Sequence, residues 1–128
     1  MANILFIGIE YFSYTARIVE EMRVQGHSVS FHRMEPVGFW DKVAKRYRPA
    51  RFAAALDRHH QAILEAERGQ SYDIVLFLQV HRMAPETVLA FRSSHPEARF
   101  VLYNWDSLNT HDYTPWVGFF DRALTFDA

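Results

Sequence analysis

The chain has 128 residues, the length of one domain, and a chain of this size buries about two thirds of its unfolded surface. Hydrophobic residues make up 49% and charged residues 23%, a balance that excludes an intrinsically disordered protein. The net charge is -1 at pH 7, so the chain as a whole lacks the basic excess of a nucleic-acid-binding protein. Cysteine is absent, which excludes disulfides, thiolate metal sites and cysteine nucleophiles.

The sequence contains no segment that resembles a targeting signal or a membrane anchor. Its start, residues 1–7, has no basic region, and its apolar run is too short for a signal peptide. No run approaches the ~20 apolar residues of a membrane span. We therefore expect a single cytoplasmic domain over residues 1–128.

Strand-like and helix-like segments alternate through the first half of the chain. Asn3–Gly8 is a continuous apolar run that ends at glycine, typical of a strand buried on both faces. Phe12–Gln25 has apolar residues at helical spacing, and Ser28–Arg33 alternates as a strand near a sheet edge does. After a turn at residues 36–38, two helices are predicted, at Phe39–Tyr47 and Pro49–Glu67.

The second half continues the alternation. The predicted elements are a strand at Asp73–Leu78, a helix at Pro85–His95, a strand at Arg99–Tyr103, a short helix at Pro115–Phe119 and a strand at Arg122–Phe126. Such alternation produces parallel strands joined by right-handed crossovers. We predict an α/β fold, a Rossmann-like three-layer sandwich with a five-stranded parallel sheet in the order 2-1-3-4-5.

This topology leaves one sheet face partly uncovered. The third and fourth predicted strands are apolar at both parities, so both of their faces should be covered. The helix that would follow the fifth strand and cover part of one face is absent from the sequence. We therefore expect an exposed apolar patch, covered by further polypeptide, by a second copy of the chain or by another partner chain.

Ligands of open parallel sheets bind beyond the carboxyl ends of the strands, where the strand order reverses. Three loops face that crevice, at residues 8–14, 79–83 and 104–107. Gly8, Tyr11 and Ser13 lie in the first loop, where backbone amides at the start of the helix could hold an anion or a sugar oxygen. Ser13 is more simply read as an N-cap, and Glu10 as a solvated loop residue.

The third of these loops, Asn104-Trp105-Asp106-Ser107, is the most unusual cluster. Tryptophan offers a flat apolar face for a sugar ring, and an aspartate can accept a proton from an attacking hydroxyl. The alternative is that Trp105 belongs to the core and that Asp106 caps the loop with Ser107. The residues alone leave these two interpretations equally open.

The histidines give weaker indications. His81 and Arg82 follow the third strand and could supply a base and an anion clamp, although a surface pair without a role is the simpler interpretation. His59 and His60 are adjacent on a helix and point in different directions, which excludes a metal site there. His27, His95 and His111 lie in predicted turns, and we expect them to be solvated.

A basic and aromatic segment occupies residues 39–58. It has six basic and two acidic side chains, a charge of 6 - 2 = +4, which leaves -1 - 4 = -5 for the rest of the chain. This pattern is typical of a segment on an anionic membrane surface, and the predicted membrane-facing residues are Trp40, Lys42, Lys45, Arg46, Arg48 and Arg51. A solvated helix pair with its aromatic residues in the core explains the pattern equally well.

Absent motifs exclude several other sites. Only Gly8 is present where a dinucleotide site needs Gly-x-Gly-x-x-Gly, and a phosphate-loop lysine is missing. A phosphoaccepting receiver domain needs an acidic pair after the first strand and an aspartate after the third, where this chain has Glu10 alone and Gln79. No Asp-x-Asp metal signature occurs, and the sequence predicts no metal and no cofactor.

Several segments resemble a bacterial glycosyltransferase group with the GT-B fold, which is associated with capsule, exopolysaccharide and lipopolysaccharide assembly. They are the opening Asn3–Gly8, Tyr72-Asp73, Phe100–Ser107, Phe120-Asp121 and Thr125–Asp127. The resemblance spans nearly the whole chain but covers only the amino-terminal domain of such an enzyme. One departure is Gln79-Val80, where relatives often carry Lys-Gly.

The resemblance implies a function. This domain would bind a glycan or lipid-linked acceptor, while a missing carboxyl-terminal domain would bind the nucleotide-sugar, and no metal would be required. Asp106 would be the catalytic base or would orient the acceptor, with Glu10 and His81 as further candidates. The implied acceptor-binding residues are Gly8, Tyr11, Ser13, Asn104, Trp105 and Ser107.

The alternative is a non-catalytic binding module that recruits a partner through its exposed sheet face. A flavodoxin-like nucleotide binder is a more distant possibility, since Glu10–Thr15 lacks the glycine of a flavodoxin phosphate loop.

Overall fold

The computed structural model describes residues 2–9, 14–36, 38–80, 82–104 and 114–125. The strands are β1 (Asn3–Gly8), β2 (Ser28–Arg33), β3 (Ile74–Leu78), β4 (Arg99–Asn104) and β5 (Arg122–Thr125). The helices are α1 (Tyr14–Val24), α2 (Phe39–Tyr47), α3 (Pro49–Glu67), α4 (Pro85–Ser94) and α5 (Thr114–Val117).

The five strands form one parallel sheet in the order β2-β1-β3-β4-β5, which confirms the predicted fold and strand order. The register places Leu76 of β3 beside Val101 of β4, and Val101 beside Arg122 of β5. Because paired residues of parallel strands point to the same side, the register defines which side chains share a face.

One face of the sheet is packed against α3, α4 and α5. Its core centres on Phe77 of β3, which is fully buried. The Phe77 ring contacts the rings of Phe91, Phe100 and Phe120 at centroid distances of 5.9, 6.4 and 5.5 Å. Trp116 of α5 packs at the border of this core. On this face the apolar strand side chains are therefore buried, as their continuous apolar sequences predicted.

The opposite face carries a smaller core. Ile4 and Phe6 of β1 and Val29 of β2 are buried there, against Val19 of α1. Phe6 and Phe31 form an edge-to-face pair with their ring centroids 5.3 Å apart. Of the described helices, α1 alone contributes side chains to this second core.

Element ends agree with the predictions to within a few residues. Gly26, after α1, has φ 94°, a left-handed conformation that suits the predicted glycine C-cap. The short helix α5 begins one residue before Pro115 and ends two residues earlier than predicted. No helix among the described residues is long and apolar enough to cross a membrane.

Candidate functional site

The carboxyl ends of β1 and β3 approach each other closely at Gly8. A Cβ atom on Gly8 would lie 2.7 Å from Cε1 of Phe6 and 2.9 Å from Cβ of Leu78. Both distances are shorter than side chains tolerate, so packing between the strands requires glycine here. The predicted role of Gly8 in acceptor binding is therefore unnecessary to explain this residue.

Gln79, directly after β3, is fully buried and has φ 64°. Its N–H donates to the carbonyl oxygen of Tyr103 at 3.0 Å, which fixes the turn against β4. A left-handed conformation is uncommon for a residue with a side chain and persists where the surrounding structure imposes it. The chain therefore leaves the sheet sharply at the position where a phosphoaccepting receiver domain would present an aspartate.

Glu35 forms two ion pairs at the carboxyl end of the sheet. One of its carboxylate oxygens accepts from Arg82 Nε at 3.0 Å, and the other from Lys45 Nζ at 2.9 Å. The bridge joins the loop after β3 to α2. Because the Arg82 guanidinium is engaged by Glu35, the structure favours a structural role for Arg82 over an anion clamp.

Most of the sequence-predicted site residues lie outside the described residues, namely Glu10, Tyr11, Ser13, His81, Trp105, Asp106 and Ser107. Of Asn104, the last residue of β4, only the backbone is described. The grouping of these residues at one crevice stays a prediction. Among the residues that the structure does describe, no group of histidine and carboxylate side chains is arranged to hold a metal ion.

The second sheet face is covered by α1 over β1 and β2 but is more open over β3, β4 and β5. Leu76 and Val101 lie side by side there, followed in the next row by Tyr103 and Leu124. The first three side chains are partly exposed, and Leu124 is 39% exposed. We call these four residues, with Ile74, the open face. Two exposed arginines, Arg99 and Arg122, occupy register positions beside it.

The two edges of the sheet differ. On β2, hydrogen bonds from Ser28 N–H to Ala2 and from Met34 N–H to Gly8 direct alternate residues toward β1. The outward carbonyls of Val29 and Arg33 accept from Arg23 Nη2 at 3.1 Å and His59 Nε2 at 2.7 Å. Side chains thus cap this edge, which protects it from pairing with another strand.

The β5 edge is more exposed. Asp121 N–H donates to the carbonyl of Phe100, so Arg122 and Leu124 direct their backbone groups away from β4. Ala123 and Leu124 are exposed. The apolar face and the exposed edge therefore lie at the same end of the sheet. The sequence predicted the uncovered face, but not Arg99 and Arg122, whose positions follow from the strand register.

Helix α2 contains four of the predicted membrane-facing residues, namely Trp40, Lys42, Lys45 and Arg46, and buries none of its side chains. Arg48 follows α2, and Arg51 lies in α3. Phe39, Trp40 and Tyr47 are 71%, 78% and 67% exposed. The alternative in which these aromatic side chains belong to the core is therefore wrong for α2. Of the basic side chains in the segment, Lys45 pairs with Glu35, and the Arg46 guanidinium lies 5.5 Å from the centroid of the Tyr47 ring.

Several histidines are structural. His95 was expected to be solvated but is 4% exposed, because its Nε2 lies 3.0 Å from the carbonyl oxygen of Glu67. His32 Nε2 lies 2.7 Å from Glu67 Oε1, and the Tyr72 hydroxyl donates to the other Glu67 oxygen. Burial and this hydrogen bond raise the pKa of Tyr72. The group connects β2, α3 and the loop before β3.

His60 is 1% exposed, and its Nε2 lies 2.6 Å from the carbonyl oxygen of Met34. Burial lowers the pKa of His60, although the hydrogen bond to Met34 acts in the opposite direction. A carbonyl only accepts, so the neutral ring carries its proton on Nε2. His60 therefore attaches α3 to the segment that carries Glu35.

The sheet order, the helix layers and the caps define a doubly wound α/β domain of the flavodoxin type. The chain matches no protein-family model and no curated protein. It resembles a response regulator protein from Burkholderia pseudomallei, solved with a phosphorylated aspartic acid, calcium ion and citrate, with a TM-score of 0.61 and 11% identity. That match covers 100% of this chain but only 61% of the other, which is less than two thirds of its length.

Two response regulator receiver domains described as CheY-like also share the fold over 100% of this chain. The one from Methylobacillus flagellatus has a TM-score of 0.58 and 14% identity, with 89% of that chain covered. The one from Methanospirillum hungatei JF-1 has a TM-score of 0.57 and 9% identity, with 84% covered. At such low identity, these similarities establish the fold alone.

The comparisons correct the expected function. The resemblance to a GT-B glycosyltransferase is wrong, because the solved structures that this chain resembles are described as response regulators and their receiver domains. The assignment to polysaccharide biosynthesis is wrong for the same reason, as are the glycan or lipid-linked acceptor and the nucleotide-sugar. The shared motifs were short apolar strands followed by polar turns, which many parallel α/β sheets contain.

Proposed function

We propose that this domain is a non-catalytic interaction module that recruits a partner protein through the open face. The observation that carries the proposal is the row of partly exposed apolar side chains on β3, β4 and β5. On the same face α1 covers β1 and β2 and contributes to the core that buries Leu78 of β3, whereas the side chains of the open face stay partly exposed. An apolar helix of a partner protein could lie beside α1 and complete the helix layer on this face.

The charges beside the open face indicate the chemistry of the partner. Arg99 and Arg122 are exposed and lie in register with Ile74 and Val101. Two cations beside an apolar strip favour an amphipathic partner helix with carboxylates next to its apolar side. The proposed partner surface is therefore apolar with an acidic border, and its source is a separate protein.

Receiver-type phosphorylation at the end of β3 is not part of the proposal. Leu78 and Gln79 occupy that position, both are buried, and neither side chain can form an acyl phosphate. The domain would share the shape of a receiver and use a constitutive surface. We expect incubation with acetyl phosphate to add no phosphoryl group by intact mass, and an acyl phosphate at residues 78–79 would contradict this chemistry.

A photo-crosslinking experiment in the source cells tests the proposal. A photoreactive phenylalanine analogue at Leu124 should crosslink one partner protein, whereas the same analogue at Leu89 should not. Leu89 is a suitable control because it is also a large exposed leucine, at 47%, but lies on α4. Equal crosslinking from both positions, or none from Leu124, would contradict a specific site on the open face.

Binding of the purified partner provides the quantitative test. The double substitution Val101→Thr and Leu124→Ser removes apolar contact worth about 2 kcal/mol, which should weaken binding by roughly 30-fold. Leu89→Ser should leave the dissociation constant unchanged. If the two variants bind the partner equally, the partner does not use this face.

We also propose a peripheral location for the domain, at the inner, anionic face of a membrane. The exposed aromatic side chains of α2 and the +4 charge of residues 39–58 support this location. Cell fractionation tests it: the native chain should sediment partly with membranes and be released by high salt. A chain found only in the soluble fraction at low ionic strength would contradict it.

A further inference from the structure

Helix α2 presents an unusual surface. Its three large aromatic side chains are each at least 67% exposed, whereas its small residues Val43 and Ala44 are partly buried. Folding therefore leaves the largest apolar side chains of this helix outside any core. Exposed aromatic residues grouped on one short helix mark a binding surface.

The aromatic residues form one arc of the helix. At 100° per residue, Phe39, Trp40 and Tyr47 fall within about 100° of one another, with Val43 between them. The Phe39 and Trp40 rings contact each other edge to face at a centroid distance of 5.2 Å. Tryptophan and other aromatic side chains of this kind favour the interface between lipid headgroups and acyl chains.

Cations lie beside the aromatic arc. Lys42 lies on α2 about 60° from Phe39 around the helix, and Arg48 and Arg51 extend the charge into the first turn of α3; all three are exposed. These three form no ion pair with any residue that the structure describes, unlike Lys45, which is paired with Glu35. Free cations beside a bilayer contribute attraction that depends on anionic lipid and is screened by salt.

We infer that α2 and the first turn of α3 form a docking surface for an anionic lipid bilayer. Helix α2 lies in the interface with Phe39, Trp40 and Tyr47 inserted among the headgroups, and Lys42, Arg48 and Arg51 contact lipid phosphates. The inference rests on the peripheral location proposed above. The lipid selectivity comes from the cations, whereas the depth of insertion comes from the aromatic side chains.

A vesicle assay with the purified chain tests the surface. The chain should sediment with vesicles that contain phosphatidylglycerol in phosphatidylcholine, and bind vesicles of phosphatidylcholine alone far more weakly. Trp40 fluorescence should shift to the blue on binding, and the shift should be lost in Trp40→Phe. Absence of binding to the anionic vesicles would overturn both the peripheral location and the docking surface.

Charge variants separate the surface from general electrostatic attraction. Lys42→Gln with Arg48→Gln and Arg51→Gln should weaken binding roughly fivefold per charge, or about 100-fold together at low salt. The control is Arg17→Gln with Arg58→Gln and Arg68→Gln, which removes the same charge from exposed arginines outside the docking surface. An equal loss in both triple variants would overturn the assignment to α2 and leave the peripheral location intact.

Aromatic variants test the insertion. Phe39→Ala with Trp40→Ala should reduce vesicle binding by tenfold or more, whereas Val24→Ala with Leu89→Ala, which also removes two exposed apolar side chains, should have no effect. Circular dichroism of each variant establishes that the fold is retained. Undiminished binding by the aromatic variant would overturn insertion of α2.

Discussion

Protonation of His60 should destabilise the fold, and this predicts a specific dependence of stability on pH. The side chain is 1% exposed, and desolvation lowers its pKa in the folded state below the ordinary histidine value of 6.5. The unfolded chain therefore binds a proton at a higher pH than the folded chain does. Between the unfolded pKa and the lower folded pKa, stability must fall as the pH falls.

The magnitude follows from one proton. Within that window a single group changes the free energy of unfolding by up to about 1.4 kcal/mol per pH unit. The substitution His60→Gln removes the titration but keeps an amide N–H that can reach the carbonyl oxygen of Met34. We expect urea unfolding of the wild type to lose stability below pH 6.5 more steeply than unfolding of the variant does.

His59 provides the matched control. It neighbours His60 in the sequence, and its Nε2 also lies 2.7 Å from a backbone carbonyl, that of Arg33, but its ring is only partly buried. At a fixed pH of 8, His59→Gln measures what exchanging such a ring for an amide costs in free energy of unfolding on this helix. The reasoning would be refuted if His60→Gln and the wild type lost stability in parallel between pH 7 and pH 5.

Three further predictions concern the fold that positions the open face. Phe77→Ala removes a buried ring that contacts three other aromatic rings and should lower the free energy of unfolding by about 3–5 kcal/mol in urea. Gly8→Ala should cost about 1–3 kcal/mol in the same assay because its Cβ would clash with Phe6 and Leu78, whereas Gly118→Ala, with no atom within 4 Å of its Cβ, should be tolerated. Asp121→Ala should cost about 1 kcal/mol at pH 7, since the carboxylate accepts from Arg92 and from the Phe100 N–H. These bonds lower the pKa of Asp121 below 3.8, so its contribution should be present at neutral pH and disappear as the pH falls through the folded pKa, and an equal effect of the substitution at pH 2 would contradict the assignment.

The fold was predictable because the relevant signals are local. Short apolar runs such as Asn3–Gly8 and Ile74–Leu78 are typical of strands in parallel sheets, and their alternation with helices limits the topology to parallel crossovers. Glycine positions predicted where helices end, as Gly26 does for α1.

The side-chain environment was less predictable, because burial depends on contacts between distant segments. His95 follows a helix and precedes a proline, a typical surface position, yet the carbonyl of Glu67, 28 residues away, holds it in the interior. The capping of β2 by Arg23 and His59 likewise joins two helices to one strand edge. A single sequence contains no periodicity that identifies such pairs.

Function was predicted least well, and the physical reason lies in what the motifs encode. The segment Phe100–Ser107 was interpreted as part of a glycosyltransferase signature. Strand residues of this kind are selected first by packing within a parallel sheet. The residues that distinguish one protein from another with this fold lie at its surfaces. In this chain those surfaces are the open face and the aromatic arc of α2. They lie on different elements, and the substitutions that test one leave the side chains of the other unchanged. A loss of partner binding without a loss of vesicle binding, and the reverse, would therefore show that the domain connects a protein partner to a membrane through two independent contacts.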